Sequence, residues 1–236
     1  MYPSPIAMQE LERLRKISKN NNLTEWEKIN NKTLKISSIN CRSLKKHIPD
    51  IRSDDMLMKS DIICLQETWL EDDVATEILQ IENYDLHLNS NGKGKGIAIY
   101  FKKDTLKHEI DIKEESMQLS KFRSDALDLV VLYRSQNGNQ KNLTETLEKL
   151  IEREKPLLVI GDFNFCFLDD STNLTKRYLN ENFFSQLVNE PTHIEGNLLD
   201  QAHVRDTKGV NKYSIELHSK YYTDHKGLAV IIKGES

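Results

Sequence analysis

An aspartate and an asparagine two positions apart, Asp162 and Asn164, follow directly on the apolar run Leu157-Leu158-Val159-Ile160 and Gly161. Four consecutive apolar residues bounded by Pro156 and a glycine predict a strand buried on both faces. Alternation along a strand sends positions 162 and 164 to the same side of its end. A carboxylate fixed there can take a proton from water, and a neighbouring amide can hold that water or a developing negative charge. Gly, Asp and Asn are also turn residues, so an ordinary turn closing the strand is the competing account of the motif taken alone.

Polar residues emerge in the same way where other apolar runs stop. Leu34, Ile36 and Ile39 predict a strand ending at Asn40-Cys41-Arg42-Ser43, and Asp61 to Leu65 a buried strand delivering Gln66-Glu67-Thr68. Ala126 to Tyr133 predicts a strand ending in Tyr133-Arg134-Ser135-Gln136, and Tyr222-Thr223-Asp224-His225 leads into a last strand, Leu228 to Ile232. Tyr84 to Leu88 and Ile97 to Phe101 are further strand candidates. Helices are expected over 44–59, interrupted by Pro49; over 73–81; after Asn142, where Glu145 stands three positions on; and over 172–187, with Phe183, Phe184 and Leu187 in the core. Segment 105–124 is ambiguous. The loop Gly92-Lys93-Gly94-Lys95-Gly96 precedes a strand instead of opening a helix, so it is read as a loop presenting Lys93 and Lys95 to a phosphate backbone.

Residues 1–33 carry no strand signal and are expected to be a helical lead-in or linker, with one domain over 34–236. Strands alternating with helices, polar residues gathering at strand ends, predict an α/β fold with its chemistry at those ends. The 236 residues are 38% hydrophobic and 30% charged, the balance of a soluble globular protein. Thirty-three Lys plus Arg against 37 Asp plus Glu give a net charge of −4, so any grip on a nucleic acid backbone must come from a local basic face. No apolar run approaches the roughly eighteen residues of a membrane span. Three cysteines without metal-ligand spacing argue for an intracellular protein without a disulfide framework.

Taken in chain order, Ile39-Asn40, Gln66-Glu67-Thr68, Leu132-Tyr133, Gly161-Asp162-Phe163-Asn164, Thr192, Asp200 and Thr223-Asp224-His225 resemble the endonuclease/exonuclease/phosphatase superfamily. The resemblance spans Leu34 to Ile232. It implies a four-layered α/β (α+β) sandwich of two packed mixed β-sheets flanked by helices. Asn40-Cys41-Arg42-Ser43-Leu44, Gln66-Glu67-Thr68-Trp69-Leu70 and Tyr133-Arg134-Ser135 look most like the apurinic-type endonuclease domains of mobile elements, non-LTR retrotransposons or Helitron-type elements.

What the resemblance implies is a Mg²⁺-dependent (or Mn²⁺-dependent) DNA endonuclease that nicks by direct attack of water and leaves 3′-hydroxyl and 5′-phosphate ends. DNA is then the partner, a helicase or reverse transcriptase a neighbour in a larger polyprotein, and the nucleus the expected location. Glu67 is the implied metal ligand, with Asp224 as second ligand or outer partner and Asn40 beside the metal and phosphate. Asp162 is the implied general base, Asn164 holds the water, His225 binds the scissile phosphate and Asp200 orients its imidazole. Tyr133 is implied on the phosphate side and Thr192 as a donor to a phosphate oxygen. The other six histidines show no such context. Arg42 stands where many relatives carry an acidic or amide residue, exchanging a metal contact for a phosphate-binding guanidinium. The Asn found three positions after Tyr133 in many abasic-site enzymes is missing, and Leu198-Leu199 replaces a basic residue before Asp200, which argues against efficient cleavage at abasic sites. A Mg²⁺-dependent phosphatase or phosphodiesterase acting on RNA, phosphoinositides or another phosphorylated small molecule shares the same core residues and is the alternative.

Overall fold

The computed structural model describes residues 33–71, 74–151, 155–169 and 173–234. The expected helical lead-in lies outside the described residues. Among the described residues twelve strands form two six-stranded sheets. The first sheet contains β1 (Thr33–Asn40), β2 (Ile62–Gln66), β3 (Tyr84–Asn89), β4 (Ile97–Lys102), β11 (Asn211–Ser219) and β12 (Lys226–Gly234), in the order β11-β12-β1-β2-β4-β3. The second contains β5 (Lys107–Glu114), β6 (Met117–Arg123), β7 (Asp128–Arg134), β8 (Leu157–Asp162), β9 (Ser185–Gln186) and β10 (Asp200–Arg205), in the order β5-β6-β7-β8-β10-β9. Each sheet has one parallel pair, β1 with β2 and β7 with β8; the other pairs are antiparallel.

The period-2 alternation of the strands sorts the apolar residues into three cores. Ile36, Cys64, Ile99 and Val230 of one sheet pack against Leu129, Val131, Leu158 and Ile160 of the other, making the dry layer between the sheets. Their sequence neighbours point outward. Ile63, Leu65, Tyr100 and Ile231 meet α1 (Leu44–Arg52) and α2 (Asp55–Met58), while Val130, Leu132 and Val159 meet α3 (Gln140–Leu150) and α4 (Leu174–Glu181). Helices, sheet, sheet and helices form the four expected layers. Runs such as Leu157–Ile160 are unbroken because their strands are covered on both faces.

Several local expectations differ from what is seen. Pro49 does not interrupt α1: the break comes at Ser53-Asp54, where the Asp54 carboxylate caps α2 by accepting from Met56 and Leu57 N–H. The helix expected over 73–81 is a single 3₁₀ turn, Thr76–Leu79. Asn139, not Asn142, caps α3, accepting from Lys141 N–H. The ambiguous 105–124 segment is the hairpin β5–β6. The helix expected over 172–187 stops at Glu181, with Phe183 at positive φ and 76% exposed while Phe184 is buried. Strands β10 and β11 carried too little periodic signal to be expected.

Candidate active site

Alternation and register together bring the site residues to one rim. Asp162 continues the inward-facing series Leu158, Ile160; Tyr133 continues Leu129, Val131; and Asp200 precedes inward-facing Ala202. Tyr133 is paired with Asp162 across β7–β8, and Asp200 with Asp162 across β8–β10, so the three stand abreast at one end of the second sheet. In the first sheet Asn40 is paired with Gln66 at the ends of parallel β1 and β2, and His225 immediately precedes β12, the other neighbour of β1. The polar rim is therefore the open end of the otherwise apolar layer between the sheets.

Asn40 joins the two sheets. Its Nδ2 donates to Glu67 Oε1 at 3.0 Å and to Asp162 Oδ2 at 2.9 Å. Its Oδ1 accepts from Arg42 N–H at 3.2 Å. The amide thus turns its N–H groups toward both carboxylates and holds them side by side. Asp162 is fully buried, and its Oδ1 accepts from Asn164 N–H at 2.9 Å. Asn164 has φ 51, a left-handed conformation that Asn tolerates, and its Nδ2 lies 3.4 Å from Asp162 Oδ2. The turn is thus both an ordinary Asx-type turn and the mount of a buried carboxylate.

His225 Nδ1 lies 2.7 Å from Asp200 Oδ2, and ligating atoms of Asp162, Asp200 and His225 all fall within 4.8 Å of one another. Burial and the charge of Asp200 raise the Asp162 carboxyl to about 8, against the opposing pull of His225, Asn40 and Asn164. Burial pushes His225 down, but the hydrogen bond and charge of Asp200, with Asp162 and Asp224, outweigh it and bring the imidazole to about 9. At neutral pH the ring is an imidazolium. The buried Oδ1 of Asp200 has no hydrogen-bond partner among the described residues.

Thr192, expected to donate to a phosphate, is fully buried, and its hydroxyl oxygen accepts from Leu199 and Asp200 N–H at 3.1 and 2.9 Å. It anchors the start of β10 and with it Asp200. Arg42, expected to bind phosphate, is ion-paired with Asp224, whose Oδ2 also lies 3.5 Å from His193 Nε2. Burial opposes the Asp224 charge, but a backbone N–H, Arg42, His225 and His193 prevail and hold its carboxyl below the usual range. The expected second ligand is therefore already charge-matched by protein groups. Tyr133 donates to Gly94 C=O at 2.9 Å; burial and the charges of Glu67 and Asp162 raise its phenol, so it remains a neutral donor. That bond, with Trp69 N–H to Lys95 C=O at 3.0 Å, fastens the Lys93–Lys95 loop to the rim.

Glu67 sits at φ 50, with Arg42, Ser43 and Trp69 also at positive φ. Non-glycine residues in such regions cost about 1–3 kcal/mol each. Paired backbone bonds, Ser43 N–H to Glu67 C=O at 2.8 Å and Leu44 N–H to Thr68 C=O at 2.9 Å, hold the two turns side by side. Glu67 is partly exposed; one oxygen accepts from Asn40 and the other from the Trp69 indole at 3.2 Å, leaving lone pairs for a further partner. This oxygen-donor set fits a hard divalent ion, which takes one or two carboxylates and completes its shell with water and phosphate oxygens.

Two contributors were not anticipated. Arg134, 3% exposed, donates to Phe163, Asn164 and Gly138 carbonyls and so props the Asp162–Asn164 turn from behind. His193 packs edge-on against His225 at 4.8 Å, and a backbone bridge joins the two residues across the sheets. Arg134 directly follows Tyr133 and alternation puts it toward the helical layer, a buried charge that needs partners; nothing near His193 in the sequence marks it.

The family model described as Endonuclease/Exonuclease/phosphatase family matches residues 37–225. No curated protein matches the chain. Solved structures similar to it include the endonuclease domain of TRAS1, a telomere-specific non-LTR retrotransposon, at 14% identity over 86% of this chain and 100% of that one, with a TM-score of 0.64. An AP endonuclease from Archaeoglobus fulgidus aligns at 15% identity over 84% and 98%, with a TM-score of 0.68. The human Nocturnin catalytic domain aligns at 14% identity over 88% and 95%, with a TM-score of 0.64. At these identities the likeness establishes the fold. No described helix is long and apolar enough to cross a membrane.

Proposed function

The chain belongs to the Endonuclease/Exonuclease/phosphatase family, and from that premise we propose that it is a Mg²⁺-dependent DNA endonuclease of a transposable element, acting in the nucleus. The observation that carries the reading is the convergence of Asp162, Asp200 and His225 within 4.8 Å, with Asn40 bonded to both Asp162 and Glu67.

Asp162 is the general base. It takes a proton from water as the water oxygen attacks phosphorus, and Asn164 and Asn40 fix that carboxylate in place. The P–O3′ bond breaks and the 3′ oxygen takes up a proton from solvent water, leaving a 3′-hydroxyl and a 5′-phosphate. His225, held as imidazolium by Asp200, donates to a non-bridging phosphate oxygen and balances the charge that builds there. Glu67 would hold the divalent ion, which when bound neutralises phosphate charge and favours departure of the 3′ oxygen. Lys93 and Lys95 lie on a loop fastened to this rim and would meet the neighbouring backbone. The TRAS1 likeness supports DNA as substrate and a mobile-element setting.

The test is nicking of supercoiled plasmid with Mg²⁺, with and without EDTA, followed by end-labelling of the product. Asp162→Ala and His225→Ala are expected to lose nicking while keeping the wild-type circular dichroism. Unchanged cleavage in both variants would overturn the reading. Turnover of a phosphoinositide or an RNA tail in preference to plasmid would move the activity to the other substrate class.

A further inference from the structure

Away from the elements that carry the rim, His87, His108 and Asp111 form a second cluster. This corrects the expectation that the remaining histidines lack context. His87 stands on β3, the last strand of the first sheet, and His108 and Asp111 on β5, the last strand of the second. His87 Nε2 lies 3.0 Å from both Asp111 oxygens, His108 Nε2 lies 3.1 Å from Asp111 Oδ1, and the two rings stack at 4.1 Å. We propose that these three side chains bind a first-row divalent transition metal ion of the Zn²⁺ class, which clamps the two sheet edges together.

Backbone irregularity is what builds the cluster. Residues three apart on a regular strand face opposite ways, yet His108 pairs with Phe122 and Asp111 with Ser120, two positions apart on β6 and so on one face. A bulge between His108 and Ile110 absorbs the odd residue, Glu109, and turns His108 and Asp111 to the same side. The Glu109 carboxylate is held by Lys121 at 3.1 Å and by Arg123, which fixes the bulge. Behind the imidazoles, the fully buried Phe122 ring meets His87 at 5.2 Å and His108 at 5.3 Å, and Ser120 donates to Asp111 Oδ1. Both rings and the carboxylate are thereby oriented by supporting contacts, as metal ligands commonly are.

The spacing suits a small ion. Metal–nitrogen and metal–oxygen bonds of about 2.0–2.1 Å in a tetrahedron put ligand atoms about 3.3–3.4 Å apart. The observed nitrogen-to-oxygen separations need to open by only a few tenths of an ångström. Two imidazoles and one carboxylate select a transition metal over Mg²⁺ or Ca²⁺. The three side chains are partly exposed, at 20%, 37% and 32%, so an ion can enter from solvent and solvent can supply the fourth ligand.

The full chain, stripped with EDTA and dialysed free of it, is titrated with Zn²⁺ and with Co²⁺ as a spectroscopic probe. Wild type should bind one equivalent that His108→Ala and Asp111→Asn lose and that His225→Ala retains. At a hundredfold excess over Kd the wild-type Tm should rise by roughly 5–10 °C, a rise absent in His108→Ala. Undiminished stoichiometry and Tm response in His108→Ala would overturn the proposal. Should that variant fail to fold, crystals of the wild type soaked in Zn²⁺ decide: an anomalous peak among the three side chains supports the site, and its absence there refutes it.

Discussion

Replacing Asp200 with Asn separates the electrostatic role of this residue from mere packing. The substitution keeps size and an oxygen near His225 Nδ1 but removes the charge. In the wild type, burial pushes His225 down while Asp200 supplies both leading causes that lift it to about 9. Without that charge the ring falls to its ordinary 6.5 or below, a change of about 2.5 pH units and, at about 1.4 kcal/mol per unit, roughly 3 kcal/mol of lost preference for the imidazolium. Asp162 falls too, because the Asp200 charge is its second raising cause after burial. The base must be ionised and the imidazole protonated, so the rate climbs with pH through Asp162 and declines through His225. For the wild type both groups are raised, which moves the optimum to the alkaline side. In Asp200→Asn both limbs move to lower pH. At pH 8 the protonated fraction of His225 drops from about nine-tenths to about one part in thirty, and fuller ionisation of Asp162 restores at most about twofold, so nicking should slow by about fifteenfold. Near pH 6, where His225 stays largely protonated, the easier ionisation of Asp162 should leave nicking equal to the wild type or faster. Initial rates of plasmid nicking from pH 5.5 to 9.5 provide the measurement. An alkaline limb in the same place, or a loss equal at every pH, refutes the charge-based account.

Gly161→Ala should unfold or severely destabilise the protein, by more than about 4 kcal/mol, since at φ +146 an added Cβ would lie 1.9 Å from Leu132 C=O on the adjacent strand; thermal denaturation reads this directly. Arg134→Met should cost roughly 3–5 kcal/mol in urea unfolding and also lower nicking, because three carbonyls of the Phe163–Asn164 and Gly138 backbone lose a buried donor. Thr192→Val should lower stability by about 1–3 kcal/mol, leaving the Leu199 and Asp200 amides unpaired, and nicking should fall with the loosened Asp200. Glu67→Gln should raise the Mg²⁺ concentration needed for half-maximal nicking at least tenfold, measured by metal titration, with little change in Tm because the amide keeps an acceptor for Asn40.

The layered fold could be read from the sequence because its cause is local. Strands such as Leu157–Ile160, covered on both faces, need unbroken apolar runs, and each run ended in polar residues that mark a rim. The weakly patterned β10 and β11 escaped because their pairing is set by neighbours distant in sequence: Asp200 to Arg205 become a strand by lying along β8. Asn139 and not Asn142 is the cap because the helix already begins at Gln140, which puts Asn142 inside its first turn while the Asn139 side chain accepts from Lys141 N–H.

By themselves, residue types and order determined which side chains were candidates: Glu67, Asp162, Asn164, Asp200 and His225 all follow from strand ends and resemblance. Tertiary structure alone decided what each one touches. Register set Tyr133, Asp162 and Asp200 abreast, sheet packing carried Asn40 across to Glu67 and Asp162, and an ion pair 182 residues apart in sequence tied Arg42 to Asp224. The same division holds for His87, His108 and Asp111, whose spacing looks uninformative until a bulge and two sheet edges bring them together. Local chemistry is written in each residue, whereas charge, proton affinity and contact depend on distances that only the folded chain fixes.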